Sequence, residues 1–307
     1  METTLRFTIW NTSGNAAEFF TIAREAERCG WHSMCLNEGT FQPEVQLDDV
    51  YPYSADGKRN WSSDTPFLDP LILLPAIAAT TTRLHVFPFV LKLPLRDPLL
   101  LAKSVATAAV LSNNRFGLGV GMSWMPQEFR ACGIDWDTRR QRFIESIEAI
   151  RLVLSGDMVE YHGEVIDFER LQARPAPTEP VPIYLGGHKP VSLRLATEFG
   201  DGWCGVPGPL DEVGPRVRRV LELLDQRGRP RTGFKIHTGV LDAKTVEDYR
   251  QIGELGITDC IVTPWMNEVW TEGLEVPTQR KLELVREFAD TIIGPLSVDS
   301  QSHDTNE

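Results

Sequence analysis

Short β-type runs alternate with helical stretches eight times along this chain, and that alternation restricts the fold more than any single motif does. The β-type runs cover residues 5–10, 31–36, 84–93, 117–121, 183–185, 202–205, 234–240 and 259–263. The helical stretches cover 16–29, 69–82, 97–111, 138–154, 191–199, 210–227, 246–255 and 278–292. In the first of these, Phe19, Phe20, Ile22, Ala23 and Ala26 recur at helical spacing until Gly30 stops the helix. Eight strands in series with helices predict an α/β protein whose parallel sheet closes as a (β/α)8 barrel; a doubly wound open sheet is the alternative. No shift in composition divides the 307 residues, so 1–294 reads as one barrel domain and 295–307 as a polar tail.

Three interruptions stand out. The segment after the second run, through Tyr51, Pro52, Tyr53, Asp56, Gly57, Trp61 and Asp64, is too long for a plain connection and is expected to act as a lid or binding segment. Pro88 interrupts the third run, which implies a bulge. Residues 158–168, broken at His162-Gly163, form an expected inserted hairpin, and Pro175, Pro177, Pro180 and Pro182 then mark an extended link.

A net charge of -12 argues against nucleic acid or an anionic membrane as a partner, because both are held mainly by Lys and Arg. Any phosphate must therefore be held locally. The five cysteines are scattered without a C-x-x-C pair, and neither a leader nor a membrane-length apolar run is seen; a soluble, cytoplasmic chain without a metal site is expected.

Two stretches carry the chemistry. In the fourth run Gly117, Gly119 and Gly121 alternate with Leu118, Val120 and Met122, so one face of that strand is bare and admits something flat or close, or packs tightly on a helix. The spacing does not fit a dinucleotide fingerprint. Downstream, Gly186-Gly187-His188-Lys189-Pro190 ends a strand and opens a helix, the arrangement of a phosphate cradle.

Taken together, the segment from Arg115 to Gly121 with Trp124 and Glu128-Phe129, Thr138-Arg139, the segment from Pro182 to His188, and Gly200-Asp201-Gly202-Trp203 resemble the bacterial luciferase-like superfamily. Tyr51-Pro52-Tyr53-Ser54, Asp69-Pro70 and the segment from Leu93 to Pro98 resemble its branch that uses deazaflavin F420. The likeness spans roughly residues 5–293. It implies a TIM barrel binding F420, or alternatively FMN, at the carboxyl ends of the strands, and a homodimer, with which the apolar helices near 71–79 and 99–111 agree.

The resemblance further implies cofactor contacts from Phe89, Val90, Gly121, Ser123, Trp124, Gly186, Gly187, His188, Lys189 and Ser192, with a non-proline cis peptide near Phe89-Val90. Many relatives carry a histidine at the end of the second strand; here Gly39 follows Asn37-Glu38. Room beside the cofactor ring is expected at Gly39, with Glu38 as the substitute acid. Trp10, Trp61, His237 and Trp265 are expected to line a substrate pocket at the carboxyl ends of the strands. His32 and His85 begin strands and read as structural, and His162 and His303 as surface residues.

The implied activity is hydride transfer between F420 and a small organic substrate. An FMN-dependent monooxygenase and a flavin-binding protein without turnover are the alternatives. A barrel metal hydrolase is disfavoured, because Ile9, Trp10 and Asn11 stand where a His-x-His would be needed.

Overall fold

A computed structural model describes residues 5–12, 14–43, 51–52, 57–59, 61–266, 268 and 276–298. Its central sheet begins with β1 (Arg6–Trp10), β2 (Ser33–Leu36), β3 (His85–Pro88), β4 (Leu91–Lys92) and β5 (Leu118–Gly121). A two-stranded antiparallel hairpin follows, β6 (Val159–His162) and β7 (Asp167–Leu171), as expected from the break at Gly163. The remaining central strands are β8 (Ile183–Gly186), β9 (Gly202–Cys204), β10 (Lys235–Thr238) and β11 (Asp259–Val262).

These nine strands run parallel in the order β3-β2-β1-β11-β10-β9-β8-β5-β4. A parallel bridge between Val86 and Phe116 brings β3 to the foot of β5, so the sheet is nearly closed. The third expected strand is thus split. Its first half pairs with β2 and its second with β5, and the cis peptide between Phe89 and Val90 lies at the break.

Helices clothe the outside: α1 (Ala16–Arg28), α2 (Pro70–Ala79), α3 (Pro98–Leu111), α4 (Pro126–Ala131), α5 (Arg139–Leu154), α6 (Pro190–Phe199), α7 (Leu210–Gln226), α8 (Val246–Glu254) and α9 (Thr278–Phe288). Local chemistry sets their starts. Asp69 and Asp97 each accept a backbone N–H of the following turn, with proline next in line, and Asn15 caps α1 in the same way. After α9 a π-helical turn, Ala289–Ile293, leads into further helix through residue 298, so the start of the expected tail is helical; 299–307 lie outside the described residues.

Most buried apolar side chains, such as Ile9, Met34, Val86, Leu118 and Ile183, face outward from the strands onto the helices. The barrel interior holds a separate small cluster, Cys35, Phe87, Cys204 and Ile261, on which Trp10, Phe89, Val90 and Tyr184 pack. Phe7, Trp31, Tyr249 and Phe288 interlock edge-to-face between β1 and the last helices, and Trp31 Nε1 donates to the Val285 carbonyl at 3.3 Å. That seam joins the beginning of the barrel to its end.

Candidate functional site

The bare face of β5 is filled by the barrel itself. A Cβ on Gly117 would stand 2.8 Å from the Tyr184 ring, one on Gly119 1.9 Å from the Pro88 carbonyl oxygen, and one on Gly121 2.8 Å from Val90 Cγ2. A Cβ on Gly186, at the end of β8, would meet the same Val90 methyl at 2.9 Å. Glycine is therefore required where the split strand bulges into the lumen, and the flat object anticipated from the alternation is this bulge rather than a helix. Phe89 packs edge-on against Trp10 at 5.6 Å, which puts the cis peptide and two of the expected site residues together at the carboxyl end.

The cradle lies on the neighbouring strand. Gly187 has φ +123, which glycine adopts without strain; its N–H donates to the Cys204 carbonyl at 3.3 Å, and its carbonyl accepts Trp203 Nε1 at 2.7 Å. A Cβ there would fall 2.6 Å from Ser192 Oγ, so the glycine and the buried serine close on each other. Lys189 precedes α6 without any side-chain cap; Pro190 has no N–H, and the Ser192 and Leu193 N–H groups bond back to the Lys189 carbonyl at 2.8 and 3.2 Å, which leaves Val191 as the first-turn donor. His188 is half-buried; burial pushes its pKa down, helped by the charges of Arg216 and Lys189. Arg216 sits on α7 and pairs with Glu212 at 3.1 Å. Its place beside the cradle was invisible in sequence, because the two are separated by a whole strand.

Glu38 occupies a tied position. Its Oε1 accepts from the Arg96 guanidinium and its Oε2 from the Lys92 backbone N–H at 2.7 Å, with only 4% of its side chain exposed. The Lys92 ammonium in turn pairs with buried Glu128, whose other oxygen accepts Ser123 Oγ–H at 3.2 Å. One chain of charge-assisted contacts therefore runs from the end of β2, behind the bulge, to α4. Ser123 (φ +66) belongs to this chain, and its Oγ also accepts the Met125 N–H.

The room expected at Gly39 is taken. A Cβ at that position would lie 2.4 Å from Cδ2 of Phe67, whose ring fills the space where a larger residue would stand. Phe67 meets Trp61 edge-on at 5.9 Å, Trp61 meets Tyr51 at 5.0 Å, and Tyr51 meets Trp124 at 5.3 Å. Trp61 Nε1 donates to Gln42 at 3.1 Å. The described aromatic residues of the segment after β2, Tyr51, Trp61 and Phe67, thus form a series that reaches Trp124, just past β5. Tyr53, Ser54 and Asp56, singled out in the sequence, lie outside the described residues.

Two of the expected pocket residues sit elsewhere. Trp265 is 3% exposed, with the Lys281 ammonium 5.4 Å above its ring, and Lys281 bonds Glu18 of α1 at 2.6 Å; it belongs to the helix layer, not to the barrel mouth. His237 is enclosed between Phe87 and Tyr184, whose rings lie 4.7 and 4.4 Å away, and burial pushes its pKa down to about 4. It forms a floor inside the barrel. Trp10 and Trp61 do stand at the carboxyl end. A cavity of about 300 Å³ opens beside Trp10, between Pro207, Val240, Ile261 and Thr263 at the strand ends and Leu284, Phe288 and Ile292 of the last helices, and no residue of the bulge or the cradle lines it.

Among the described residues, no cluster of three or more His, Cys, Asp or Glu side chains could hold a metal, and no helix is long and apolar enough to cross a membrane.

The family of luciferase-like monooxygenases matches residues 3–242. An uncharacterized Mycobacterium tuberculosis protein is 36% identical over 293 residues, covering 94% of this chain and 99% of its own. An F420-dependent glucose-6-phosphate dehydrogenase of Kineococcus radiotolerans is 30% identical over 218 residues, covering 68% of this chain and 58% of its own. In fold, the chain is similar to an F420-dependent secondary alcohol dehydrogenase solved with an F420–acetone adduct, with a TM-score of 0.73 and 14% identity over 96% of this chain and 99% of that one. Matched in sequence over most of its length and in fold over nearly all of it, the chain belongs to the luciferase-like monooxygenase family.

Proposed function

We propose that this protein is an F420-dependent oxidoreductase acting on a small organic substrate. The observation that carries the reading is the cradle: a glycine at φ +123 whose missing Cβ leaves space beside Ser192, at the start of an uncapped helix. The helix dipole and the Val191 N–H favour a phosphate there, and both F420 and FMN carry one. The F420-dependent relatives favour the deazaflavin.

When bound, F420 supplies hydride chemistry. The chain's own residues bind and orient. Gly186, Gly187, His188, Lys189 and Ser192 hold the phosphate end, with Arg216 adding positive charge. Phe89 and Val90 on the bulge back the ring, kept in place by Gly121 of β5 and Gly186 of β8. Ser123 and Trp124 bound the site on the β5 side, where the aromatic series excludes water.

Glu38 we assign to positioning rather than to proton transfer. Both of its oxygens already accept hydrogen bonds, one from a guanidinium, so it holds the Lys92 and Arg96 side of the bulge. The proton that accompanies the hydride then comes from substrate or solvent. The apolar wall from Trp10 to Ile261 suits a compact substrate with a carbonyl or hydroxyl group. We further propose a homodimer formed through α2 and α3, where Ile72 and Leu100 are 74% and 72% exposed.

Anaerobic oxidation of reduced F420 by a panel of small carbonyl compounds tests the reading. Turnover with F420, and none with reduced FMN under oxygen, is expected; oxygen consumption with FMN and no F420 turnover would establish the monooxygenase alternative.

A further inference from the structure

The opposite end of the barrel carries positive charge that nothing in the site above uses. Arg6, Lys235 and Asp259 are the first residues of β1, β10 and β11; His85 is the first of β3, and His32 immediately precedes β2. Those five strands are adjacent in the order β3-β2-β1-β11-β10, so the five side chains share one end of the lumen. Asp259 is the single carboxylate among them. Its Oδ2 is already taken by Arg6 at 2.7 Å and by Thr258 Oγ1 at 2.7 Å.

The Lys235 ammonium is not matched. No hydrogen-bond or ion-pair partner for it is seen among the described residues, its nearest opposite charge being Asp259, and Arg6 Nε and Asp259 Oδ1 are both buried without a partner. The His32 and His85 rings lie 4.7 Å apart, tilted by 31°, with no carboxylate bonded to either. Arg6 remains 28% exposed, His85 is exposed, and His32 and Lys235 are half-buried, so solvent reaches the group. With His32 and His85 neutral, Arg6 and Lys235 face the one Asp259 carboxylate, so this end carries a single positive charge in surplus within a chain of net charge -12.

We propose that this amino-terminal mouth binds a divalent tetrahedral oxyanion of the sulfate or phosphate class, held by Lys235, Arg6 and the paired imidazoles of His32 and His85. Imidazole, ammonium and guanidinium all donate, and a tetrahedral dianion offers enough acceptors to serve them together. The ion neutralises the surplus and closes the base of the barrel.

Without the ion, both imidazoles are held neutral. Burial lowers the pKa of His32 to about 3 and lowers that of His85, and the charge of Arg6 lowers both further. The groups facing them are Arg6 of β1, Asp259 of β11, Lys235 and His237 of β10, and Arg115 ahead of β5. A bound dianion reverses the sign of that field, so binding couples to proton uptake and tightens as pH falls from about 6 toward 4, a range in which sulfate itself does not titrate.

The test uses the full chain with ring-labelled histidine, titrated with sodium sulfate at constant ionic strength set by chloride. The ring resonances of His32 and His85 should shift saturably and their pKa values should rise by about one to two units, the usual effect of an opposite charge at close range. His162, ion-paired to Asp167 on the hairpin, should not move; His188 reports the cradle separately. Lys235→Met should weaken the His32 and His85 response about tenfold or more, the scale of one charge-assisted hydrogen bond, and leave that of His188 unchanged. His85→Asn, at an exposed position, gives a second variant read through His32. A repeat with a phosphate monoester separates a site for free oxyanions from one that also admits esters. Resonances of His32 and His85 that stay fixed, that follow chloride equally, or that keep full affinity in both variants would overturn the proposal.

Discussion

At the scale of single residues, the site is defined by where a side chain has no room or no freedom. Gly39 is the clearest case, since Phe67 occupies the position a β-carbon would need. Gly39→His is expected to lose about 1–3 kcal/mol to overpacking, and Phe67→Ala in the same chain to restore much of it. Urea midpoints check this, and an unrelieved loss in the double variant contradicts it. Glu38→Gln is expected to cost about 1–3 kcal/mol because it weakens a largely buried pair with Arg96, while the pH profile of turnover stays as in the parent. A flattened profile with unchanged stability would return Glu38 to the role of acid. His237 couples acid to unfolding. Its folded pKa of about 4 lies below the ordinary value of 6.5, so the unfolded chain takes up the proton first; the contribution is complete above about pH 6.5 and is lost as pH falls toward 4. His237→Gln should therefore show a shallower fall in urea midpoint between about pH 7 and 4.5 than the parent, and an identical fall would refute the assignment.

At the scale of elements, much of the plan was legible and the exceptions share a cause. Helix starts at Asp69, Asp97 and Pro190 were readable because capping and proline chemistry are local. The hairpin was readable from its glycine break, though what secures it was not: the Glu145 carboxylate on α5 accepts the N–H groups of Glu164, Val165 and Ile166 at 2.7 to 2.8 Å, a contact made across some twenty positions. Pro88 marks the interruption of the third strand between 84 and 93, but not that the two halves answer to different neighbours, β2 and β5. Alternation in sequence reports which face a residue takes; it does not report that Gly119 and Gly121 on β5 and Gly186 on β8 are spaces for another strand's bulge. The same limit hid Arg96, Lys92 and Glu128, whose partners come from separate elements. Gly119→Ala, which places a Cβ 1.9 Å from the Pro88 oxygen, is accordingly expected to destabilise more than Gly228→Ala, where nothing lies within 4 Å.

At the scale of the whole molecule, the count of strand-helix units carried the fold, and the proposed site follows from the position of the cradle, because active sites in this architecture gather at the carboxyl ends of the strands. The pocket residues were less legible: Trp265 follows the last strand yet turns into the helix layer, where Lys281 and Glu18 hold it. The proposed homodimer rests on Ile72, Leu100 and Leu111, exposed by 74%, 72% and 63% on adjoining helices. Sedimentation at micromolar concentration should give a dimer, and Ile72→Glu with Leu100→Glu a folded monomer; a monomeric parent would exclude it.

The central claim, that the carboxyl end binds F420 through the cradle, is tested most directly by equilibrium titration of F420 and of FMN into the parent and into Ser192→Asp. Aspartate in the first turn of α6 favours the helix through its dipole and repels a phosphate, so fold and binding separate in this variant. The account predicts saturable F420 binding by the parent, weaker FMN binding, and an F420 affinity reduced about tenfold or more in a Ser192→Asp chain that still unfolds cooperatively in urea. Full F420 affinity in that variant, or tight FMN binding by a parent that ignores F420, would contradict it.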